Sequence, residues 1–337
     1  MALADYGKKT ELLEDFKSVF NISPQGIKVN HRIKQISLLK IEEFKKEDVA
    51  FALQSSVEDT VSSFVCGLIE DRSKPDLFLA GGLFANIKVN QNLHETGAFN
   101  RVFVSPNMGD GGMSFMAAHI NHTGKTCPLK NVYLGIDYAD DYIERVLKEK
   151  RISYIEEPDI EKKSAFLLAQ GKTLARFGGR MEYGPRALGN RSILYQTTDK
   201  SVNDWLNKKL HRSEFMPFAP VTLHEYADQC YLNLKKAEYA AKFMTISFNC
   251  TEWMKKISPG VVHIDGTARP QILSEEDNPG YYKILKEYHK ITGIPSLINT
   301  SFNMHEEPIV CSPEDALKAF KASGIDYLAM GDYLIRQ

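Results

Sequence analysis

The chain has 337 residues, 43% hydrophobic and 25% charged, with a formal net charge of −1 and a pI near 6.8. That length supports two domains with separate cores, and the composition is that of a soluble globular protein. A net charge so close to zero gives no global field for nucleic acid or an anionic membrane, so anion binding is left to local clusters.

Residues 1–45 mix charge with short apolar segments and carry no firm pattern. From 47 to 69, Val49, Leu53, Val57, Val61, Phe64 and Leu68 recur every three to four residues and predict a helix with one buried face. After Lys74-Pro75, residues 76–80 read as an apolar strand entering Gly81-Gly82, and 85–90 open the next helix. Residues 101–104 read as a strand, 107–112 as a glycine loop, and a small-residue helix follows through Ala117 and Ala118. Strand, glycine loop and helix thus occur twice, as where ligand loops sit at strand carboxyl ends in an α/β fold. The polar stretch 121–130, with Gly124 and Pro128, marks a domain boundary. Helices at 142–150 and 160–175 flank a predicted strand at 151–154, and a helix at 201–210 precedes a strand at 218–223. Residues 243–248 and 261–264 also read as strands. A helix is expected over 279–292, then a buried strand over 294–298 running into Asn299-Thr300-Ser301-Phe302-Asn303. Ser312-Pro313-Glu314-Asp315 is a helix start, with a capping serine and proline just inside.

The densest chemistry lies at 178–192, where four glycines, one proline and three arginines (Arg180, Arg186, Arg191) share fifteen residues. Glycine lets backbone approach a ligand closely, and the guanidinium fork matches phosphate and carboxylate geometry. One arginine in such a loop would favour pairing with a nearby acid; three interleaved with glycines favour an anion cradle. Gly81-Gly82 with Asn86 and Asn90 stands where a nucleotide would lie in an α/β cleft, although such a turn is usually structural. Asp110, between glycines, suits a divalent cation or a helix cap. His263 and Asp265 would share a face if 261–264 were a strand; a lone histidine is more often structural, and Arg269 is the better anion ligand. Ser301 and Asn303 point the same way at a strand end. Lys208, Lys209, His211 and Arg212 add local positive charge of a kind usually solvated. There is no GxSxG elbow or HExxH, so phosphoryl or nucleotidyl chemistry is indicated. The five cysteines (Cys66, Cys127, Cys230, Cys250, Cys311) are scattered without a CxxC pair. With no basic, apolar leader and no apolar run of ~18 residues, the expected location is cytoplasmic.

Together the stretches AGGLFANIKVN (80–90), GDGGMSFMAA (109–118), GGRMEYGPRALGNRSIL (178–194), EFMPFAPV (214–221), VVHIDGTARPQ (261–271) and INTSFNMHEEPIVCSPEDAL (298–317) resemble the carbamoyltransferase family of nodulation and aminoglycoside O-carbamoyltransferases. The resemblance implies an α/β fold with mixed sheets: part of an actin/Hsp70-like (ASKHA) carbamoyl-transfer domain at 1–128, then a YrdC-like α/β domain at 129–337. The second would activate carbamoyl phosphate with ATP to carbamoyl-adenylate. The first would pass the carbamoyl group to a hydroxyl of a small-molecule or sugar acceptor at a divalent metal, Mg or Fe. Arg186, Arg269 and His263 form the candidate catalytic set. Arg180, Arg186, Arg191, Lys209, Arg212, Arg269, Ser301 and Asn303 would bind carbamoyl phosphate or nucleotide; Gly81, Gly82 and Asn86 would line the nucleotide cleft, and Asp110 would hold the metal.

Three departures stand out. The family usually has a lysine just before the arginine of its KxR-type segment, and here that place reads Lys209-Leu210-His211-Arg212, which leaves the lysine's equivalent open. Glu306 stands where the family commonly has glycine. Met1-Ala2-Leu3-Ala4-Asp5-Tyr6-Gly7 resembles a motif from deep inside the family's first domain, so a partner supplying an N-terminal half, or a homo-oligomer, is expected. The alternative is a non-catalytic nucleotide-binding or assembly subunit. No membrane or nucleic-acid partner is expected.

Overall fold

The computed structural model describes residues 1–30, 41–69, 74–125, 129–211 and 217–337. Where the sequence showed no firm pattern, a helix Leu12–Ser18 leads into a hairpin of β1 (Phe20–Ser23) and β2 (Gly26–Val29). Ile22, Ile27 and Val29 of that hairpin are exposed, so no alternation was available to read. The helix Lys46–Gly67 follows as expected. Strand β3 (Asp76–Leu79) pairs in parallel with β4 (Arg101–Val104), and the helix Ile87–Glu95 crosses between them. Asn86 caps that helix by accepting from the N–H groups of Lys88 and Val89.

The remainder is built on one eight-stranded mixed sheet. Its strands are β5 (Ile155–Glu156), β6 (Leu174–Phe177), β7 (Arg191–Gln196), β8 (Ala219–Leu223), β11 (Gln271–Leu273), β12 (Ser296–Ser301), β13 (Tyr327–Met330) and β14 (Tyr333–Arg336). Their spatial order is β11-β8-β12-β7-β6-β13-β14-β5, while β9 (Phe248–Asn249) and β10 (Thr267–Ala268) form a small separate pair. The helices Pro279–Thr292 and Pro313–Ser323 end at left-handed Gly293 and Gly324, and Ser312 with Asp315 closes a capping box on the second.

Several sequence expectations change. Residues 151–154 are not a strand; the strand is the short edge piece Ile155–Glu156. The helix expected over 160–175 stops at Ala169, because Gly171 turns left-handed (φ 73°) and Leu174-Ala175 enter β6. Residues 243–247 are irregular, with Met244 at φ 55°, and only Phe248–Asn249 pair. Residues 261–264 close a turn instead of a strand, since Gly266 N–H donates to the His263 carbonyl. At 243–247 a buried apolar run belongs to the core without belonging to a ladder.

One buried cluster runs from Val61, Leu79 and Val104 through Ile193, Phe218 and Ile298 to Ile325 and Ile335. The helix Ile87–Glu95 is bound into it by polar contacts as well. Asn90 donates to the Thr245 carbonyl (2.7 Å), Ser247 donates to Gln91 (2.7 Å), and Asn249 donates to Glu95 (2.8 Å). No described helix is long and apolar enough to cross a membrane.

Candidate functional site

The antiparallel pairing of β12 with β7 and β8 brings the carboxyl end of β12 beside the amino ends of the other two. A cleft of about 240 Å³ opens there. Arg186 reaches it from the glycine-rich loop, Arg269 from the residue after β10, and Ser301 and Asn303 from the end of β12. Phe218 and Met244 supply apolar wall. Ser301 Oγ donates to Asn303 Oδ1 (2.7 Å), and Asn303 Nδ2 donates to the Glu307 carbonyl (2.7 Å), so the two are oriented together.

Burial holds the Arg269 guanidinium well below its usual range, and Arg186 beside it pushes the same way. Arg186 is lowered by burial alone, and its Nε is enclosed without a hydrogen-bond partner. Among the described residues, no carboxylate pairs with either arginine. Guanidinium does not deprotonate in proteins, so this shared, partly desolvated charge is one that an anion in the cleft would relieve.

Glu182 holds the loop in shape and was missed in the sequence. It is buried, and its Oε1 accepts from the N–H groups of Leu188 (2.8 Å), Asn190 (2.8 Å) and Arg191 (3.3 Å). The available signal was a lone carboxylate inside a loop rich in glycine and arginine. Gly189 (φ 121°) has no alternative residue, because a Cβ there would lie 2.2 Å from the Tyr281 ring. Tyr183 reaches the other glycine loop, donating its hydroxyl to the Gly111 carbonyl (2.8 Å).

Four predicted residues, Arg186, Arg269, Ser301 and Asn303, line the cleft. The other two loop arginines spend their donors on backbone. Arg191 is fully buried, its Nη1 serves the carbonyls of Gly179 (3.1 Å) and Asn190 (2.9 Å), and its guanidinium lies 3.8 Å above the Phe177 ring. Arg180 donates to the carbonyls of Gly135 (3.1 Å) and Leu134 (2.9 Å). Lys209 donates to the Gly324 carbonyl (2.9 Å) at a helix C-terminus, away from the cleft. Arg212 lies outside the described residues.

His263 does not line the cleft. Burial lowers its pKa to about 4, so the ring is neutral near pH 7, and Nδ1 sits 3.2 Å from the Thr267 hydroxyl. The shared strand face expected with Asp265 is replaced by a turn in which Asp265 accepts from Thr267 N–H (2.9 Å) and pairs with Lys88. Gly81 and Gly82 are exposed, and the Asn86 amide is occupied by Gln54 (3.0 and 3.1 Å) besides capping its helix. Asp110 is exposed, and among the described residues no three His, Cys, Asp or Glu side chains are grouped to hold a metal. The residues present therefore do not fit the divalent metal expected at Asp110.

The description "Carbamoyltransferase C-terminus" matches residues 165–337, and "Carbamoyltransferase N-terminus" matches residues 3–119. The chain belongs to the carbamoyltransferase family. Relatives of this carbamoyltransferase chain include protein MJ1058 of Methanocaldococcus jannaschii, 34% identical over all of this chain and 58% of that protein. Nodulation protein NolNO of Sinorhizobium fredii is 33% identical over all of this chain and 52% of its own length. Nodulation protein U of Rhizobium tropici is 32% identical over 86% of this chain and 50% of its own. The chain thus spans between half and two thirds of these relatives' lengths. A solved structure of full-length HypF in phosphate- and nucleotide-bound form overlaps 52% of this chain and 25% of that one, at 18% identity and TM-score 0.37, too loosely to bear on the site. At the position where the carbamoyltransferase pattern commonly has glycine, Glu306 adopts left-handed φ 61° at the rim of the cleft.

Proposed function

We propose that the chain carries the activating half of an O-carbamoyltransferase, with residues 129–337 as a YrdC-like unit and 1–128 as part of an ASKHA-type transfer unit. Carbamoyl phosphate and ATP would be brought together at the cleft: water cleaves the P–O bond of carbamoyl phosphate to leave carbamate and phosphate, and the carbamate oxygen then attacks the α-phosphorus of ATP, breaking its bond to the bridging oxygen and giving carbamoyl-adenylate and pyrophosphate. The carbamoyl group would then pass to a hydroxyl of a small-molecule or sugar acceptor. The observation that carries this reading is the pair Arg186 and Arg269, facing one cleft beside the hydroxyl of Ser301 and, among the described residues, paired with no carboxylate. Two fixed guanidiniums offset the repulsion between phosphate groups and stabilise charge developing on the leaving pyrophosphate. Ser301 and Asn303 supply neutral donors and acceptors for the carbamoyl amide.

Transfer would be completed by further polypeptide, from a partner or a second copy. Met113, Phe115, Met116 and Ile120 of the helix Met113–Ile120 are all exposed, as is Phe78 on β3, an apolar face that favours burial against another surface. The second reading is a nucleotide-binding subunit without turnover.

The test is pyrophosphate release with ATP and carbamoyl phosphate, an acceptor being unnecessary for that step. Arg269→Ala should lower the rate by at least about a hundredfold, the scale of losing one fixed charge at a transition state. If the parent chain binds ATP yet releases no pyrophosphate, the activation reading fails and the subunit reading stands.

A further inference from the structure

Behind the anion cleft lies a pair of buried amides. Asn299 lines the cleft, and Gln271 opens β11 just past Arg269 and Pro270. Asn299 Nδ2 donates to the Ala187 carbonyl (3.2 Å) and to Gln271 Oε1 (2.7 Å). Gln271 Nε2 donates in turn to the Leu188 carbonyl (2.9 Å). The two side chains thus form one bridge that ends on consecutive carbonyls, those directly after Arg186.

The anchors of the bridge are what distinguish it. Asn299 precedes Ser301 by two positions on β12, so their side chains share a face. Gln271 follows Arg269 by two positions, with Pro270 fixing one φ between them. The bridge crosses over β8, which lies between β11 and β12. Ala219 stands opposite Asn299 in that ladder, and its small side chain leaves room for the amides to meet. One bridge therefore joins the three segments that carry Arg186, Arg269 and Ser301.

Buried amides bond to carbonyls in any core, so the bonds alone would mark only a contribution to folding. Three further observations go beyond that. Both Nδ2 hydrogens of Asn299 are spent and its Oδ1 is enclosed without a partner, so this cleft-lining side chain has no donor left for an anion. An apolar side chain of the same shape would avoid that unpaired acceptor. The loop's other ties lie further along: Glu182 takes N–H groups from Leu188 onward, and Tyr133 shares the Leu188 carbonyl (2.8 Å). Among the described residues, Asn299 alone holds the carbonyl of Ala187, the residue next to Arg186. Arg186 itself has no carboxylate partner among the described residues and an enclosed, unpaired Nε, so the backbone beneath it sets where its charge stands.

We propose that Asn299 and Gln271 are positioning residues for the anion cleft. Their bridge fixes the backbone after Arg186, and through it the spacing of Arg186 from Arg269 and Ser301. The proposal rests on the reading of this cleft as a phosphate site. Two guanidiniums clamp one phosphate group only when their separation is held, which gives the bridge its function.

Isothermal titration of the whole chain with inorganic phosphate, beside urea midpoints, tests it. Asn299→Leu and Gln271→Met keep the approximate shape and remove the amide, and each should weaken phosphate binding by about threefold or more. Thr222→Val is the control. Its buried hydroxyl meets Tyr231 (2.7 Å) and Ser296 (2.9 Å) at the other end of β8, so its loss should lower the urea midpoint while phosphate affinity stays at the parent's. In an Arg186→Lys background, where a flexible stem finds the anion without a fixed backbone, Asn299→Leu should cost measurably less affinity than in the parent. Gln271→Met carries both comparisons if Asn299→Leu does not fold. Amide variants that bind phosphate as the parent does, an equal loss in the Arg186→Lys background, or a parent that does not saturate below about 10 mM phosphate would each overturn the proposal. A parent that binds phosphate yet releases no pyrophosphate from ATP would end the activation reading alone and leave the bridge standing.

Discussion

Arg186 and Arg269 face a cleft whose rim residue, Glu306, carries the nearest built-in negative charge among its lining side chains, yet that carboxylate is turned out to solvent. Its backbone is the more telling feature. A side chain at φ 61° costs roughly 1–2 kcal/mol, which glycine would not incur. Against that gain, glycine adds about 0.5–1 kcal/mol of unfolded-state entropy. Glu306→Gly should therefore raise stability by a net of about 0.5–1 kcal/mol, read as a higher urea midpoint at unchanged slope. It should also tighten inorganic phosphate binding slightly, because a rim carboxylate repels the anion. A variant less stable than the parent would show that Glu306 makes compensating contacts at the rim.

At the scale of elements, the loop from Gly178 to Arg191 is a structure folded around one carboxylate. Three backbone N–H groups converge on Glu182 Oε1, an arrangement that substitutes for the ladder the loop lacks. Glu182→Gln keeps the shape and removes the charge, so the three bonds lose their charge assistance. A cost of about 1.5–3 kcal/mol is expected, together with loss of phosphate binding at the cleft as Arg186 loses its fixed position. Near-native circular dichroism beside weakened phosphate binding would mark a positioning role; phosphate affinity equal to the parent's would remove it. This element also shows what the sequence could and could not tell. The helix Lys46–Gly67 was legible from its period alone, with no side-chain cap, whereas Pro279–Thr292 and Pro313–Ser323 carry capping residues as well. Strand β7 was hidden because Arg191 and Ser192 read as loop chemistry while pairing with Phe177 and Arg176. Among the three loop arginines, composition could not rank one above another, since a guanidinium serves backbone carbonyls as readily as an anion. Only packing separates Arg186 from Arg180 and Arg191.

Across the whole molecule, residues far apart in the chain meet at a titrating cluster. Asp5, Glu58 and Lys88 come from the first 128 residues and His263 and Asp265 from the rest, with Lys88 paired to Asp265. Burial, then Asp265, raise Asp5 to about 6, against the opposing pull of Lys88 and the N-terminal ammonium. Burial lowers His263 to about 4, with Asp265 opposing and Arg269 and Lys88 assisting. The signs oppose each other. Asp5 binds its proton more tightly when folded, so its contribution to stability is present in acid and lost as pH rises through about 6. His263 binds its proton less tightly when folded, so stability is lost as pH falls from the ordinary histidine range toward about 4. Between those limits the two nearly cancel, and this cluster leaves the parent's stability almost flat. Asp5→Asn removes one arm of the balance. The variant should be more stable than the parent by about 1 kcal/mol near pH 8, a value reduced from the full linkage because Asp5 is only half buried. It should then lose stability as pH falls toward about 4.5, where the parent holds steady. Urea midpoints of both proteins at about pH 8, 6 and 4.5 measure this. Parallel curves for the two at all three values would mean that Asp5 does not titrate against His263, and that this joint between the two parts of the chain is electrostatically silent.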